Sequence, residues 1–330
     1  MSATHLFVCS LYAQAALAVR STVGKTGAIV VTDSRRDDLG SLIGLWPLHF
    51  ALPNAAAMPG IVVGLHNPFM ASSVPLVRSA CEQAAIRGFL DWLEVAAGRL
   101  GTLTLNELRL DGPVWKELEA ALDQRRQSWR SVDEFDRPLV DTRSVSSQHN
   151  YLQRLSGKKR QSLKRKWRRL SEIGELAYTH HVGPELGSSM DEFLALERAG
   201  WKGMSGTAMD LSDSTRSLAR DVLCSPQYGA TRIEALRLNG RPIAMNIHLC
   251  VGGQAYFFKP AYDEALAPYS PGQLLHFKTI EGLYQERWAT SIDSAADKDD
   301  QLGTIWVDRR RIGRVLVATS RTMPSRFLDA

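Results

Sequence analysis

At 330 residues the chain exceeds one ordinary domain of about 100–200 residues, so two packed units are predicted. Its hydrophobic fraction, 44%, can fill two cores, yet no apolar run reaches the roughly 18 residues of a membrane-spanning helix. Forty basic against thirty-five acidic residues leave a net charge of +5, which suits an anionic ligand without demanding one.

In chain order, residues 6–20 read as a helix. Their apolar stretch, Leu6 to Val19, has its first basic residue, Arg20, behind it, the reverse of a secretory signal. Residues 27–33 read as a strand, followed by a turn at Ser34 to Asp38 and a second strand over Leu42 to Phe50. Pro47 would confine that strand to a sheet edge. Residues 51–75 are rich in Pro, Gly and Asn and predict loops around one short apolar run, Ile61 to Leu65. Val77 to Gly98 has helical spacing, with Ala80, Ala84, Phe89, Leu90, Leu93 and Ala97 on or near one face. Thr102 to Leu110 alternates as a strand, and Val114 to Arg126 is helical after Gly112-Pro113. This half carries no chemical motif and no capped, glycine-containing helix start after a strand, so no donor site is expected in it.

The polar stretch Ser128 to Asn150 reads as the linker, dividing the chain into residues 1–145 and 146–330. Beyond it, nine Lys or Arg fall among the sixteen residues from Arg154 to Arg169, with no acid. Leu152, Leu155, Leu163, Trp167 and Leu170 give this basic segment an apolar stripe, and Gly157 marks where its helix begins. Such a block is either a solvated amphipathic face or a phosphate-binding one. A strand (Leu176–Val182), two helices (Ser189–Ala199, Ser214–Leu223) and three short strands follow: Thr231–Leu238, Pro242–Cys250 and Gln254–Pro260. The dipeptides Asn239-Gly240 and Gly252-Gly253 join these strands as tight hairpins. A helix, Pro271–Gln285, and a strand, Ala289–Asp293, complete the order.

Cys9, Cys81, Cys224 and Cys250 are widely spaced and form no C-x-x-C pair, and the eight histidines include no H-E-x-x-H. Neither a disulfide framework nor a metal is expected, and a reducing cytoplasm fits.

The sharpest local feature is Ser270-Pro271-Gly272-Gln273. Ser can cap a helix, Pro can open it, and Gln three residues on can close a capping box. A helix start presents N–H groups and partial positive charge, and Gly272 lets a ligand approach the backbone, so the same four residues also describe a pyrophosphate cradle.

Several segments together resemble a known family. Lys259 to Glu264 with Tyr269-Ser270-Pro271-Gly272-Gln273-Leu274-Leu275 is similar to the "K-x-x-Y-D-E … Y-S-P-G-x-L-L" segment of the cellulose-biosynthesis-associated (CelD/BcsL-like) subgroup of GNAT acyltransferases. Gly200-Trp201-Lys202-Gly203 with Gly206-Thr207-Ala208 resembles its "GWKG…GTA" signature, and Leu163 to Gly174 its basic "LRRxxRRLxxxG" helix. Ile292-Asp293-Ser294-Ala295-Ala296 through Trp306 and Arg309-Arg310 resembles its "DSCAxxD…W…RR" ending. The similarity covers about 150 to 319 and is weaker in the first half. Two features depart from it: the common acetyltransferase loop "R/Q-x-x-G-x-G/A" is absent, and Ala295 replaces the usual Cys, which argues against a thiol nucleophile there.

The resemblance implies an α/β (α+β) protein of two tandem acetyltransferase-like units, each a mixed, mostly antiparallel sheet flanked by helices, the first degenerate and the second carrying the donor site. It implies acetyl-CoA or another acyl-CoA, or an acyl carrier protein, as donor, bound around Tyr269, Ser270, Gly272, Gln273 and Leu274. Direct transfer needs a neutral amine or hydroxyl, a polarised thioester and a proton for the departing thiolate. Asp263 either serves the acceptor amine or makes an Asx turn; Tyr262 or Tyr269 either protonates the thiolate or packs. Lys259 either binds an anionic group or extends to water. Trp201 and Lys202 line an acceptor cleft or anchor packing, Glu197 is a further base or a solvated helix-face acid, and Asp293 belongs with the substrate-binding set. The acceptor is a small molecule or glycan. Fem-type relatives imply an alternative, aminoacyl-tRNA as donor, for which the basic helix is the direct support, although no long helical hairpin insertion is visible. A third alternative is a non-catalytic nucleic-acid-binding protein, with Trp167 the one stacking aromatic among the basic residues.

Overall fold

The computed structural model describes residues 25–33, 41–51, 60–65, 72–96, 100–225, 231–298 and 301–319. The helix expected over 6–20 and the turn at Ser34 to Asp38 lie outside them. The chain divides into two compact units, Met1–Asp136 with Arg310–Ala330, and Arg137–Arg309. The architecture is mixed α/β, with largely antiparallel strands flanked by helices.

The first unit holds strands β1 (Lys25–Thr32), β2 (Leu42–Ala51), β3 (Gly60–Gly64), β4 (Leu76–Val77) and β5 (Leu100–Arg109), with helices α1 (Glu82–Ala96) and α2 (Pro113–Gln124). The strands run in the order β1, β2, β3, β5, with only the β3–β5 pair parallel and β4 resting on β2. Trp46, Leu48, Phe89, Leu90, Leu103, Leu105, Trp115 and Leu118 form its core. The buried stripe of α1 is Ile86, Phe89, Leu90 and Leu93, at i, i+3, i+4 and i+7, whereas Ala80 and Ala84 are exposed.

Pro47 does not sit on an edge strand, because β2 pairs with both β1 and β3. It stands where β3 ends: pairing there stops at Leu48↔Gly64, and the Pro47 carbonyl accepts one last bond from Leu65 N–H at 3.0 Å. The missing donor therefore removes only the reciprocal bond to Leu65, at the end of the ladder.

The stretch expected as a linker is instead a 13-residue strand, β6 (Trp129–Asp141). Its first half is polar because its side chains face solvent and charged partners. Glu134 accepts from Arg311 Nε at 2.7 Å, and Asp133 pairs with Arg314. Only Arg137 to Val140, near its end, is continuously buried. A strand stabilised by its ladder and cross-strand charges shows no apolar alternation to read. Its partners belong to β12 (Asp308–Ala318), the last strand among the described residues, which pairs antiparallel with β5.

The second unit opens with α3 (Gln148–Gln153) and the basic helix α4 (Gly157–Ser171), followed by β7 (Leu176–His181), α5 (Leu186–Ala199), α6 (Trp201–Met204) and α7 (Asp213–Ser217). Then come β8 (Thr231–Leu238), β9 (Arg241–Val251), β10 (Gln254–Tyr262), α8 (Pro271–Glu286) and β11 (Ser291–Asp293). From the end of β6 the order is β11, β10, β9, β8, β7, with β10–β11 parallel. Both hairpins are as tight as expected: Asn239, Gly240, Gly252 and Gly253 all have positive φ. Leu163 and Leu170 of α4 pack with Leu236, Ile243, Leu274 and Leu275; Tyr151, Phe257, Ile280, Ile292 and Trp306 form a second cluster.

Candidate functional site

The site follows from β10 losing one neighbour halfway along. It pairs with β9 from Gln254 to Tyr262, through a bulge between Phe257 and Lys259, but with β11 only at Gln254, Ala255 and Tyr256. Tyr256↔Asp293 is the last pair, because β11 ends there, and beyond it β10 keeps its pairing with β9. Pro260, which would break an interior strand, is tolerated in this half, where its carbonyl is taken by the Lys202 ammonium at 2.5 Å.

Beyond β10, Asp263 caps the short 3-10 turn Glu264–Tyr269. Its Oδ1 accepts from Ala265 N–H at 3.0 Å and its Oδ2 faces Arg241 at 3.4 Å. Tyr262 is partly exposed at the end of β10. The chain then enters α8 through Ser270 at φ 52° and ψ 58°, a left-handed conformation that turns the hydroxyl away from the first helical turn. The expected capping box is therefore not formed. Both of its side chains serve the basic helix instead: Ser270 Oγ accepts from Lys166 Nζ at 2.7 Å, and Gln273 Oε1 accepts from Lys159 Nζ at 3.2 Å. Arg169 stacks over the Tyr269 ring, 5.3 Å from its centre.

Two lysines thus converge on the positive end of a 16-residue helix, where Gly272 and Gln273 have no carbonyl four residues back within the helix. Burial, and then the neighbouring Lys166, lowers the Lys159 ammonium from its ordinary range. A Cβ added at Gly272 would meet nothing within 4 Å, so the backbone faces open space. Leu274, by contrast, points into the core at 1% exposure. Lys159 and Lys166, two helical turns apart, lie on the same side of α4 as Leu163 and Leu170; Lys158, Lys164, Arg165 and Arg168 are exposed elsewhere on the helix.

A second cluster lies where α5, α6 and β10 meet. Glu197, far from being a solvated acid, is 2% exposed. Its Oε1 lies 2.8 Å from Lys259 Nζ and 3.5 Å from Lys202 Nζ, and its Oε2 accepts from Met209 N–H at 2.8 Å. Lys259 also donates to the Thr207 carbonyl at 3.3 Å. Burial pushes the Lys202 ammonium down to about 8, with Glu197 opposing and Lys259 assisting. The close turn that brings Lys202 here requires glycine, since a Cβ at Gly203 would sit 1.8 Å from the Arg198 carbonyl oxygen. Trp201 is half exposed beside the cluster: its backbone N–H donates to Glu264 Oε1 at 2.5 Å, and its ring centre is 5.9 Å from Lys202 Nζ.

Asp293 is buried at the end of β11, accepting from Ala295 N–H at 2.9 Å with Arg137 at 3.9 Å. Sequence reading also missed a polar network under α8. The buried Glu234 accepts from Tyr178 OH at 2.7 Å, Arg232 Nε at 3.1 Å and Thr279 Oγ1, with His248 Nε2 at 3.2 Å. Burial works against its ionisation, but His248, Arg232 and Thr279 outweigh it and hold the carboxyl near 2. Burial also drops His276 to about 3, so it is neutral. Among the described residues no group of His, Cys, Asp and Glu side chains is arranged to hold a metal ion, and no helix is long and apolar enough to cross a membrane.

Residues 157–300 match the model of the acetyltransferase (GNAT) domain. No curated protein matches the sequence significantly. Among solved structures, FemX is similar over 99% of this chain and 98% of its own, at 10% identity and a TM-score of 0.56. The C-terminal domain (DUF2156) of a putative lysylphosphatidylglycerol synthetase from Agrobacterium fabrum aligns over 96% of this chain and 90% of its own, at 11% identity and 0.56. A conserved protein of unknown function from Bacteroides thetaiotaomicron aligns over 94% and 90%, at 12% identity and 0.55. At these identities the likeness is one of fold. Over residues 157–300 the chain is thus similar to the acetyltransferase (GNAT) domain, and its fold is similar to that of FemX.

Proposed function

We propose that this protein is an acyltransferase that moves an acyl group from acetyl-CoA or another acyl-CoA, or from an acyl carrier protein, onto an amine or hydroxyl of a small-molecule or glycan acceptor. The observation that carries this reading is the start of α8, where Lys159 and Lys166 lie against Ser270 and Gln273 and Gly272 opens to space. Two ammoniums at a helix N-terminus, tied only to neutral oxygens, suit a pyrophosphate. Gly272 would let the diphosphate approach the backbone, Tyr269 and Arg169 would flank it, and Leu274 would anchor the helix from behind. The end of the β10–β11 pairing leaves an edge along which an extended thioester arm can lie, with Asp293 in the last pair.

The thioester supplies an activated carbonyl. As the acceptor nitrogen or oxygen bonds to that carbon, the carbon–sulfur bond breaks. The acceptor proton goes to the Asp263 carboxylate, and the thiolate takes a proton from Tyr262. Lys259, Lys202, Glu197 and Trp201 form the acceptor side.

The motif set supports the CelD/BcsL-like subgroup and a degenerate acetyltransferase-like unit in residues 1–145 ahead of the donor-binding unit in 146–330, and the widely spaced cysteines fit a reducing cytoplasm. A second reading, an aminoacyl-tRNA donor, rests on the four exposed cations of α4 that the cradle does not use: Lys158, Lys164, Arg165 and Arg168. Calorimetric titration of coenzyme A at two salt concentrations tests the first reading. Saturable binding that weakens with salt is expected, and no binding at millimolar coenzyme A, with tRNA bound instead, overturns it in favour of the second.

A further inference from the structure

The Glu197 cluster holds more positive charge than a structural tie requires. One buried carboxylate needs one cation, yet Glu197 faces both Lys202 and Lys259, whose side chains are each 14% exposed. Nearby acids are committed elsewhere: Glu264 to Trp201 N–H, Asp263 to Ala265 N–H and Arg241, Asp210 to Arg198 and Arg216. Each ammonium has three N–H donors. Lys259 donates one to the Thr207 carbonyl and lies 2.8 Å from Glu197 Oε1; Lys202 donates one to the Pro260 carbonyl and faces the same oxygen at 3.5 Å. Two ammoniums against one carboxylate leave one net positive charge.

Burying a second ammonium costs stability, and the lowered Lys202 ammonium reports that cost. Such a cost persists where function uses it. The cluster also lies on the half of β10 beyond its pairing with β11, beside the half-exposed Trp201 ring.

Resting on the acyltransferase reading, we infer that Lys202 and Lys259 form a receptor for a carboxylate on the acceptor substrate, with Glu197 holding the two ammoniums at the spacing such a group needs. A carboxylate monoanion neutralises the single surplus charge, whereas a phosphate dianion would leave a buried negative charge in its place. The acceptor is therefore a carboxylate-bearing amine or alcohol, its anion on the lysines and its body against Trp201.

Nitrogen-15 NMR of the lysine ammonium groups, assigned with Lys202→Met and Lys259→Met, tests this directly, with acetate as the minimal probe. The two buried ammonium signals are expected to shift saturably with acetate, but not with acetamide or with chloride at equal ionic strength. In transfer assays on matched amino acids and amino-acid amides, the acid is expected to be preferred. Lys202→Met should raise its KM at least about tenfold while coenzyme A binding stays intact. Signals that ignore acetate, or that follow chloride equally, overturn the receptor. Loss of coenzyme A binding in the parent protein, with the acetate response intact, would overturn the acyltransferase reading and leave the receptor standing.

Discussion

Two helix starts in this chain look alike in sequence and differ in what surrounds them. In the first unit β5 leads through Gly112 and Pro113 into α2; in the second β10 leads through Ser270, Pro271 and Gly272 into α8. The first half thus contains a glycine-bearing helix start after a strand, but one without a side-chain cap. At Gly112 a Cβ would meet the Arg109 side chain at 3.1 Å, and Arg109 is itself paired with Asp111 at 2.7 Å. At Gly272 the space is open, and two lysines arrive from another helix. A helix dipole alone is worth a fraction of a kcal/mol to about 1 kcal/mol at a surface, so the imported cations and the open approach separate the proposed binding end from a structural one.

The largest effect is therefore expected from filling that space. Gly272→Val should weaken coenzyme A binding by about a hundredfold or more while the melting temperature stays close to the parent's, since the new side chain meets only solvent; Gly112→Val should leave affinity untouched. Equal calorimetric affinities for the two variants would show that the two helix starts do not differ in binding. Next comes the charge. Lys159→Ala with Lys166→Ala should cost roughly tenfold to a hundredfold in affinity and flatten its salt dependence, whereas Lys164→Ala with Arg168→Ala should change little, because those side chains point away from α8.

A smaller, pH-dependent effect belongs to Lys202. Its ammonium gives up a proton near 8 in the folded protein and near the ordinary 10.5 when unfolded. Between those values the unfolded chain binds the extra proton, so this group's contribution to stability rises with pH and is flat below about 8. Urea melts on either side of that pH should show the rise, and Lys202→Met should abolish it. Smallest of all is Ser270→Ala. A working N-cap is worth about 1 kcal/mol, but this hydroxyl makes no cap bond, so thermal melts should show less than that loss.

The elements of the second unit were legible because local rules govern them. Positive-φ hairpin residues, the apolar stripe of α4 and the Pro-Gly start of α8 each lie within a few residues of what they control. Parts of the site were legible too: Ser270, Gly272 and Gln273 were singled out, though for a capping box that the left-handed backbone at Ser270 prevents. The spacing of Lys159, Leu163, Lys166 and Leu170 held a further signal, since it places two lysines on the apolar side of a basic helix. Polar strands gave none. β6 is held by its ladder and by charges such as Glu134 with Arg311, partners 177 residues apart.

Sequence alone determined the motifs and the local geometry: where helices start, where hairpins turn, and which segments are basic. Only the tertiary structure decided which charges meet. Glu197, Lys202 and Lys259 come from two helices and a strand, and whether Glu197 is a solvated acid or a buried one holding two ammoniums depends on β10 lying beside it. Burial sets the strength of a charge interaction and the cost of leaving it unpaired, and burial is a property of the packed fold, not of neighbours along the chain.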